Sequence, residues 1–152
     1  MWNSSNPLNS LISIYIPVQP VGYNNGTVAC TGADYDKWVF TTIKSPWDWN
    51  HPVSGNRFFG YTMEGGTMVL YTRGVDRVNS WVFNNFDTEN NPAFQGADNL
   101  WTNMQLKVAN FVNKNGNDGI ALIPDAIKYR PNWSDINGYL KGTRPLSSLG
   151  CK

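Results

Sequence analysis

The sequence predicts an α+β fold: an antiparallel sheet of about five to six strands, with two C-terminal helices packed on one face. Across the first two-thirds of the chain, short runs rich in β-branched and aromatic residues alternate with turn residues, which is typical of strands. From about residue 96 onward, apolar residues recur every three or four positions, as on one face of a helix. Strands followed by helices favour a segregated α+β architecture over an alternating α/β one.

Five runs have the composition of strands, and one long segment has the composition of a loop. The predicted strands are residues 11–18, 38–43, 58–63, 67–72 and 78–83. The third and fourth strands are joined by Glu64-Gly65-Gly66, which predicts a tight hairpin turn. Gly74 is expected to interrupt the chain between the fourth and fifth strands. Residues 22–36 are rich in turn residues, and residues 26–32 within them have the composition of a strand and a turn.

Two later segments have the spacing of helices. The first ends at Asn115-Gly116, a helix stop signal. The second is opened by Pro131 and ended by Gly142, and a short strand over residues 120–123 is predicted between the two helices. The side chains expected to face the core are Leu100, Trp101, Met104, Val108, Phe111 and Val112 in the first helix, and Trp133, Ile136, Tyr139 and Leu140 in the second.

Length and composition predict one globular domain over residues 11–152, preceded by a flexible lead-in over residues 1–10. Lys and Arg number 12 and Asp and Glu 11, a net charge of +1, which disfavours strong binding to duplex nucleic acid. No apolar run approaches the roughly 20 residues that span a bilayer. No signal peptide is visible, so the chain is expected to be either a cytoplasmic protein or a domain excised from an exported one.

Residue counts exclude some kinds of site and leave others open. The chain has one histidine, His51, and two cysteines, Cys30 and Cys151. It lacks the C-x-x-C and H-E-x-x-H spacings, so no metal and no cofactor is predicted. The P-loop, G-x-G-x-x-G and G-x-S-x-G fingerprints are also absent from the sequence. The two cysteines could form one bridge or remain two thiols, because only geometry decides between these.

A group of polar residues meets at the open end of the predicted hairpin. If the turn centres on Gly65, antiparallel pairing places Arg57 opposite Arg73. The loop over residues 51–57 and the loop over residues 73–77 then lie side by side. The residues gathered in this way are His51, Arg57, Arg73, Asp76 and Arg77. Asn56 belongs to the first of these loops and is expected to contact the same substrate.

The chemistry of this group predicts an acid/base site for an anionic substrate. His51 titrates near neutral pH and suits general acid or base catalysis. Asp76 and Arg77 complete the predicted catalytic set, with Asp76 orienting His51 or an arginine. Arg57 and Arg73 are expected to bind substrate, because the guanidinium fork matches phosphate and carboxylate groups. The structural alternative is that Asp76 pairs with an arginine to tie the loops together, while His51 caps a turn.

Trp47 and Trp49 predict a second type of site. Both lie in a proline-flanked loop, beside Asp48 and Asn50. Exposed indoles mark binding surfaces and their flat faces suit sugar rings, so these residues are expected to contact substrate or to form a lectin-like platform. The alternative is that both rings cover the open edge of the sheet.

Two pairs of segments resemble a family of secreted bacterial proteins. Residues 51–60 (HPVSGNRFFG) are followed by residues 71–77 (YTRGVDR), and residues 96–101 (GADNLW) by residues 130–133 (RPNW). These segments are similar to parts of the uncharacterised C-terminal domains of polymorphic toxins of the Rhs type, over residues 35–150. The resemblance implies an exported effector domain with a cognate immunity protein as its partner. It carries over no roles for individual residues.

The function expected first is that of a secreted bacterial effector or toxin domain with enzymatic activity. Its substrate would be RNA, an NAD-like dinucleotide or another small molecule that contains phosphate. Two rival expectations are a carbohydrate- or protein-binding module without turnover, which uses Trp47 and Trp49, and a structural subunit of a larger secreted assembly. Activity that is lost with His51 favours the first expectation, and ligand binding that is lost with the indoles favours the second.

Overall fold

The computed structural model describes residues 6–18, 22–48, 51, 53–78, 92–116, 120–121 and 127–150 of the 152-residue chain. The chain divides into two compact units. The sheet unit contains the described residues up to position 78, and the helical unit contains those from position 94 onward. All the described strands belong to the sheet unit.

The sheet unit is an antiparallel meander in which each strand pairs with the next one along the chain. The strands are β1 (Leu11–Val18), β2 (Gly22–Ala33), β3 (Lys37–Ile43), β4 (Val53–Glu64) and β5 (Thr67–Val78). Their order across the sheet is the order of the sequence, so β5 has one neighbour, β4, among the described residues. Four of them lie where strands are predicted, because their β-branched and aromatic side chains suit a pleated surface.

β2 spans Gly22–Ala33 in the segment that the sequence predicts to be rich in turns, so the strand is longer than the predicted strand and turn over residues 26–32. Its backbone is paired on both sides, and Val28, for example, faces Ile12 on β1 and Thr42 on β3. Two ladders of hydrogen bonds outweigh the low strand propensity of Asn25-Gly26.

The β4–β5 hairpin turns at two consecutive glycines. Gly65 and Gly66 have φ angles of 55° and 82°, and positive values at both central positions are what a two-residue type I′ turn requires. With two residues in the turn, Arg57 faces Gly74 rather than Arg73. The predicted register is therefore wrong by one residue, which moves a side chain to the opposite face of the sheet. β5 also continues through Gly74, where an interruption is predicted.

Alternation along the strands gives the sheet two faces. The apolar face carries Ile12, Ile14, Val28, Cys30, Trp38, Phe40, Arg57, Phe59 and Asp76, with Thr42 and Thr72 among them. The Arg73 face carries Ser13, Thr27, Thr41, Asn56, Arg73, Val75 and Arg77, together with the apolar side chains of Val39 and Phe58. On the apolar face, the ring of Phe40 meets those of Trp38 and Phe59 edge to face, with centroids 6.2 and 5.7 Å apart. This geometry is the favourable one for aromatic pairs.

Three well-buried residues of the sheet unit lie on β2. Thr27 and Cys30 are 1% exposed and Val28 is 8% exposed. Cys30 carries a free thiol, whose sulfur lies 3.5 Å from the carbonyl oxygen of Gly32. The register between β2 and β3 shifts between these two residues, which is a β-bulge. Cys151, the other half of the predicted alternative bridge, lies outside the described residues.

The described part of the helical unit contains two α-helices and a short 3₁₀ helix. α1 spans Pro92–Asn115, α2 spans Trp133–Leu140, and the 3₁₀ helix spans Leu146–Leu149. α1 ends at the predicted stop signal, where the Gly116 N–H donates to the Val112 carbonyl oxygen at 2.6 Å. α2 begins after Asn132, whose side-chain oxygen accepts the Ser134 N–H at 2.8 Å. This N-cap contact satisfies one of the helix's first N–H groups.

Several side chains that are predicted to face a core in the helical unit are exposed instead. They are Leu100, Phe111, Trp133, Tyr139 and Leu140, which are between 41% and 71% exposed. Their prediction as core residues is wrong, whereas Ala109 of α1 is buried at 9% exposure. Helical spacing identifies residues that share a face of a helix, but it does not identify whether another element covers that face.

The α+β fold class is confirmed, with a five-stranded antiparallel sheet and two α-helices. The packing of the helices on one face of the sheet, the single domain over residues 11–152 and the lead-in over residues 1–10 stay predictions. The predicted strand over residues 78–83 lies outside the described residues beyond Val78. Of the strand predicted over residues 120–123, the structure describes Ile120 and Ala121, and neither is in a strand.

Candidate functional site

His51 lies over the apolar face of the sheet, beside β2. Its imidazole rests on Gly26, where an added β-carbon would overlap the ring atoms Cδ2, Cγ and Nε2. Its Nδ1 accepts a hydrogen bond from the Val53 N–H at 3.2 Å, which is the turn-capping contact of the structural alternative. A neutral imidazole whose Nδ1 accepts a hydrogen bond carries its proton on Nε2. Nε2–H is therefore the hydrogen-bond donor of the ring.

Arg57 and Asp76 form an ion pair on the same face. The Arg57 Nη2 donates to the Asp76 Oδ2, and the two side chains are 20% and 13% exposed. Each side chain lies across a glycine of the neighbouring strand, the guanidinium over Gly74 and the carboxylate over Gly55. Glycine weakens the interior of a strand unless another group needs the space, and here it admits the pair. The ion pair of the structural alternative is thus present, with Arg57 as the arginine.

Asp76 also acts electrostatically on His51. Burial lowers the pKa of His51 from its ordinary value of 6.5, and a backbone hydrogen bond with Val53 and the charges of Asp76 and Asp48 oppose part of this lowering. His51 is therefore neutral at pH 7, with its proton on Nε2. The polar residues His51, Arg57 and Asp76 share one face of the sheet with the aromatic rings of Trp38, Phe40 and Phe59. These three polar residues are called the His51 cluster below.

We expect the stability of the chain to fall as the pH drops below about 6.5. The folded chain holds His51 at a lowered pKa, so the unfolded chain takes up the proton first on acidification. The contribution of His51 to stability is therefore complete above pH 6.5 and is lost as the pH falls toward the folded-state pKa. Urea unfolding near pH 7.5 and near pH 5.5 measures the loss.

His51→Asn is the control for this pH dependence, because asparagine keeps a hydrogen-bond acceptor at the position of Nδ1 and does not titrate. His51 is the chain's single histidine, so no other side chain with an ordinary pKa near 6.5 complicates the comparison. The same fall in stability for the wild type and for His51→Asn would contradict the prediction.

The structure separates Arg73 and Arg77 from the His51 cluster. Both lie on β5 and leave the sheet on the Arg73 face. Both are exposed, and the Arg73 guanidinium carbon lies 4.1 Å from the centroid of the Tyr71 ring. The predicted gathering of five residues is therefore wrong for these two, because the register of the hairpin differs by one residue.

Asn56 also lies on the Arg73 face, in a row of hydrogen bonds that crosses three strands. The hydroxyl of Thr31 lies 2.7 Å from that of Thr41, and the Thr41 hydroxyl donates to the Asn56 Oδ1 at 2.7 Å. Since the Thr41 proton is used in this way, Thr31 donates to Thr41. Asn56 is therefore on the other side of the sheet from the cluster with which the sequence analysis groups it.

Trp47 lies on a loop that buried polar side chains fix to β2. Thr27 and Ser45, which are 1% and 5% exposed, contact each other at 3.2 Å, and the Thr27 hydroxyl donates to the Asp48 carboxylate. Ser45 donates to that carboxylate and accepts the Asp48 N–H, both at 3.2 Å. Trp47 itself is 62% exposed, as a binding role requires. Trp49 lies outside the described residues.

The described part of the chain contains neither a candidate metal site nor a membrane-spanning helix. No group of three or more His, Cys, Asp or Glu side chains there is placed to hold a metal ion. No described helix is both long enough and apolar enough to cross a bilayer.

Sequence reasoning missed the parts of the site that support the functional side chains. The three glycines under the His51 cluster are Gly26, Gly55 and Gly74, and their signal is that glycine occurs inside strand-like runs. The Thr27–Ser45–Asp48 network has a clearer signal, because Ser45 and Asp48 have the three-residue spacing by which a hydroxyl and a carboxylate close a turn on each other.

Comparison with known proteins gives no information about the function of this chain. No protein-family model, no curated protein and no solved structure matches the chain. The resemblance to the C-terminal domains of polymorphic toxins therefore stays a prediction.

Proposed function

We propose that the chain is a secreted bacterial effector domain with enzymatic activity on a phosphate-containing or otherwise anionic substrate, such as RNA or a dinucleotide. The observation that carries the proposal is the His51 cluster, in which three polar side chains lie on the apolar face and each lies across a strand glycine. Each glycine weakens its strand. The sheet is thus less stable at three positions, and these positions give space to one histidine, one arginine and one carboxylate.

Each member of the cluster has a role in this proposal. His51 is anchored through Nδ1, so its neutral ring donates a hydrogen bond from Nε2–H to an oxygen of the substrate. This bond stabilises negative charge that develops on that oxygen during the reaction. Arg57 has five N–H donors in a fork that matches phosphate and carboxylate oxygens. Asp76 holds that fork in place, and its charge favours the protonated form of His51.

We expect the wild-type chain to arrest growth when its expression is induced in a bacterium, and the His51→Asn variant not to. The asparagine oxygen can keep the hydrogen bond to the Val53 N–H that Nδ1 accepts, whereas nothing replaces the Nε2–H. Growth curves of cells that make each protein in the cytoplasm, or export it to the periplasm, measure the effect and identify the compartment of the target.

Lys107→Gln is the control for this assay, because Lys107 is an exposed residue of α1 and its loss should leave the arrest intact. Immunoblots of the soluble fraction establish that all variants are present in equal amounts. Growth arrest by His51→Asn as strong as that by the wild type would contradict the proposal. A soluble wild-type protein that does not slow growth in either compartment would contradict it as well.

The exposure of Trp47 favours a second candidate function, that of a carbohydrate- or protein-binding module. The buried Thr27–Ser45–Asp48 network fixes the loop before any ligand arrives, which lowers the entropy that binding must overcome. The exposed flat face of an indole suits the apolar face of a sugar ring.

We expect Trp47→Ala to weaken binding to a glycan by at least about tenfold, the loss typical of an aromatic anchor. A glycan array with the labelled full chain identifies the ligand, and titration calorimetry then measures the affinity. Tyr35→Ala is the matched control, because Tyr35 is another exposed aromatic residue of the sheet unit, 84% exposed between β2 and β3. Equal affinity of the wild type and Trp47→Ala would exclude the indole as the platform.

A further inference from the structure

The strand β5 carries a charge pattern that the proposed function leaves unused. Arg73, Val75 and Arg77 alternate along β5, so all three side chains leave the sheet on the Arg73 face. Val75 is 80% exposed and both arginines are exposed. Since β5 pairs with β4 alone among the described residues, the N–H and C=O groups on its outer edge form a template for another strand.

Two contacts hold the hydrogen-bond donors of this surface in place. The Arg73 guanidinium stacks on the Tyr71 ring, which restricts its rotation. Asn56 faces Val75 across the hairpin, and its Oδ1 accepts the hydroxyl proton of Thr41. The amide N–H groups of Asn56 are therefore turned away from that hydroxyl. The surface thus presents positive charge and hydrogen-bond donors around an exposed apolar side chain.

A second copy of β5 is a poor partner for this edge. Antiparallel pairing about Val75 would place Arg73 of each copy opposite Arg77 of the other. Like charges directly opposite each other destabilise a pair of strands. The two arginines therefore discourage self-association of the edge, and the same charges attract a strand of opposite sign.

We propose that β5 is the docking edge for an extended acidic segment of a partner protein, which adds to the sheet as a further strand. The carboxylates of this segment lie opposite Arg73 and Arg77, and an apolar side chain lies opposite Val75. This requires acidic, apolar and acidic residues at alternate positions, which all point to one face of a strand. Main-chain hydrogen bonds supply the affinity of such strand addition, and the side-chain pairs supply its specificity.

A capped peptide, Thr-Glu-Thr-Val-Thr-Glu-Thr, is the probe for this proposal, titrated into the ¹⁵N-labelled full chain. We expect it to shift the amide resonances of β5 rather than those of α1. Arg73→Gln with Arg77→Gln should weaken its binding by about tenfold, since it removes two cross-strand charge pairs. The matched control is Lys107→Gln with Lys128→Gln, which removes the same charge from two exposed lysines outside the sheet unit and should bind as the wild type does.

A second peptide with lysine in place of both glutamates should not bind. Equal binding of the two peptides, or equal losses in the arginine and lysine double variants, would overturn the proposal, because either outcome makes the attraction non-specific. Shifts confined to residues outside β5 would also overturn it. Binding of a ten-nucleotide oligothymidine without binding of the acidic peptide would overturn it in favour of a nucleic acid.

Discussion

Replacing Gly55 with alanine is expected to destabilise the sheet unit by about 3 kcal/mol. An added β-carbon would overlap the Val75 carbonyl oxygen and the Asp76 α-carbon, which are backbone atoms of β5, as well as the Asp76 carboxylate. Backbone atoms within a hydrogen-bonded ladder cannot rotate aside as the end of a flexible side chain can. β4 and β5 must therefore separate locally, and the ion pair between Arg57 and Asp76 is strained with them.

Native-state hydrogen exchange of the β4 amides measures this loss within the sheet unit. Gly96→Ala is the control with the opposite sign. Gly96 lies in α1 and has no atom within 4 Å of an added β-carbon, so alanine should stabilise the helix by about 0.5–1 kcal/mol. Unchanged exchange of the β4 amides in Gly55→Ala would show that the carboxylate and backbone of β5 do not approach Gly55 this closely.

The second large effect is expected from Asp76→Ala, a loss of about 2 kcal/mol. Arg57 and Asp76 are 20% and 13% exposed, so water screens their attraction only in part. Removal of the carboxylate takes the Asp76 ion pair away from a guanidinium that is 20% exposed, and loss of one partner of a partly buried pair is costly. The remaining exposure keeps the loss below the roughly 3–5 kcal/mol that is typical of fully buried pairs.

A double-mutant cycle of Asp76→Ala and Arg57→Met measures the coupling between the two side chains by urea unfolding, and we expect at least about 1 kcal/mol. A titration of His51 by NMR adds an independent readout. Asp76 opposes the lowering of the His51 pKa, so this pKa should fall further in Asp76→Ala.

Asp34→Ala is the control for the cycle. The ion pair of Asp34 with Lys37 joins side chains that are 57% and 41% exposed, and its loss should change the stability by less than about 0.5 kcal/mol. Zero coupling between Arg57 and Asp76, together with an unchanged His51 pKa, would contradict the described cluster.

The strands were predictable where side chains determine them, and not where backbone pairing does. β1 has isoleucines at positions 12, 14 and 16, and this alternation is a local signal that survives in the fold. β2 contains Asn24-Asn25-Gly26 and Gly32, which is the composition of turns. It becomes a strand because β1 and β3 pair with it on both sides, and local composition does not contain that information.

The sequence predicts that the candidate site lies where two strands of a hairpin meet. Which residues belong to the site depends on the number of residues in the hairpin turn. With one central residue in the turn, Arg57 would share its face with Arg73 and Arg77, whereas with two it shares its face with Asp76. The face that each arginine takes changes with that single residue. The signal was present in the sequence, since consecutive glycines favour the two-residue turn, which predicts Gly74 rather than Arg73 opposite Arg57.

The neighbour-to-neighbour order of the five strands has a consequence for how the sheet forms. Every ladder joins segments that are adjacent in the chain, which gives a low contact order and favours fast folding. The entropy lost on closing a loop rises with its length, so the two-residue turn between β4 and β5 closes most readily and the connection over residues 44–52 least readily. The ion pair of the hairpin is therefore expected to form early, and the contact of His51 with Gly26 to form last.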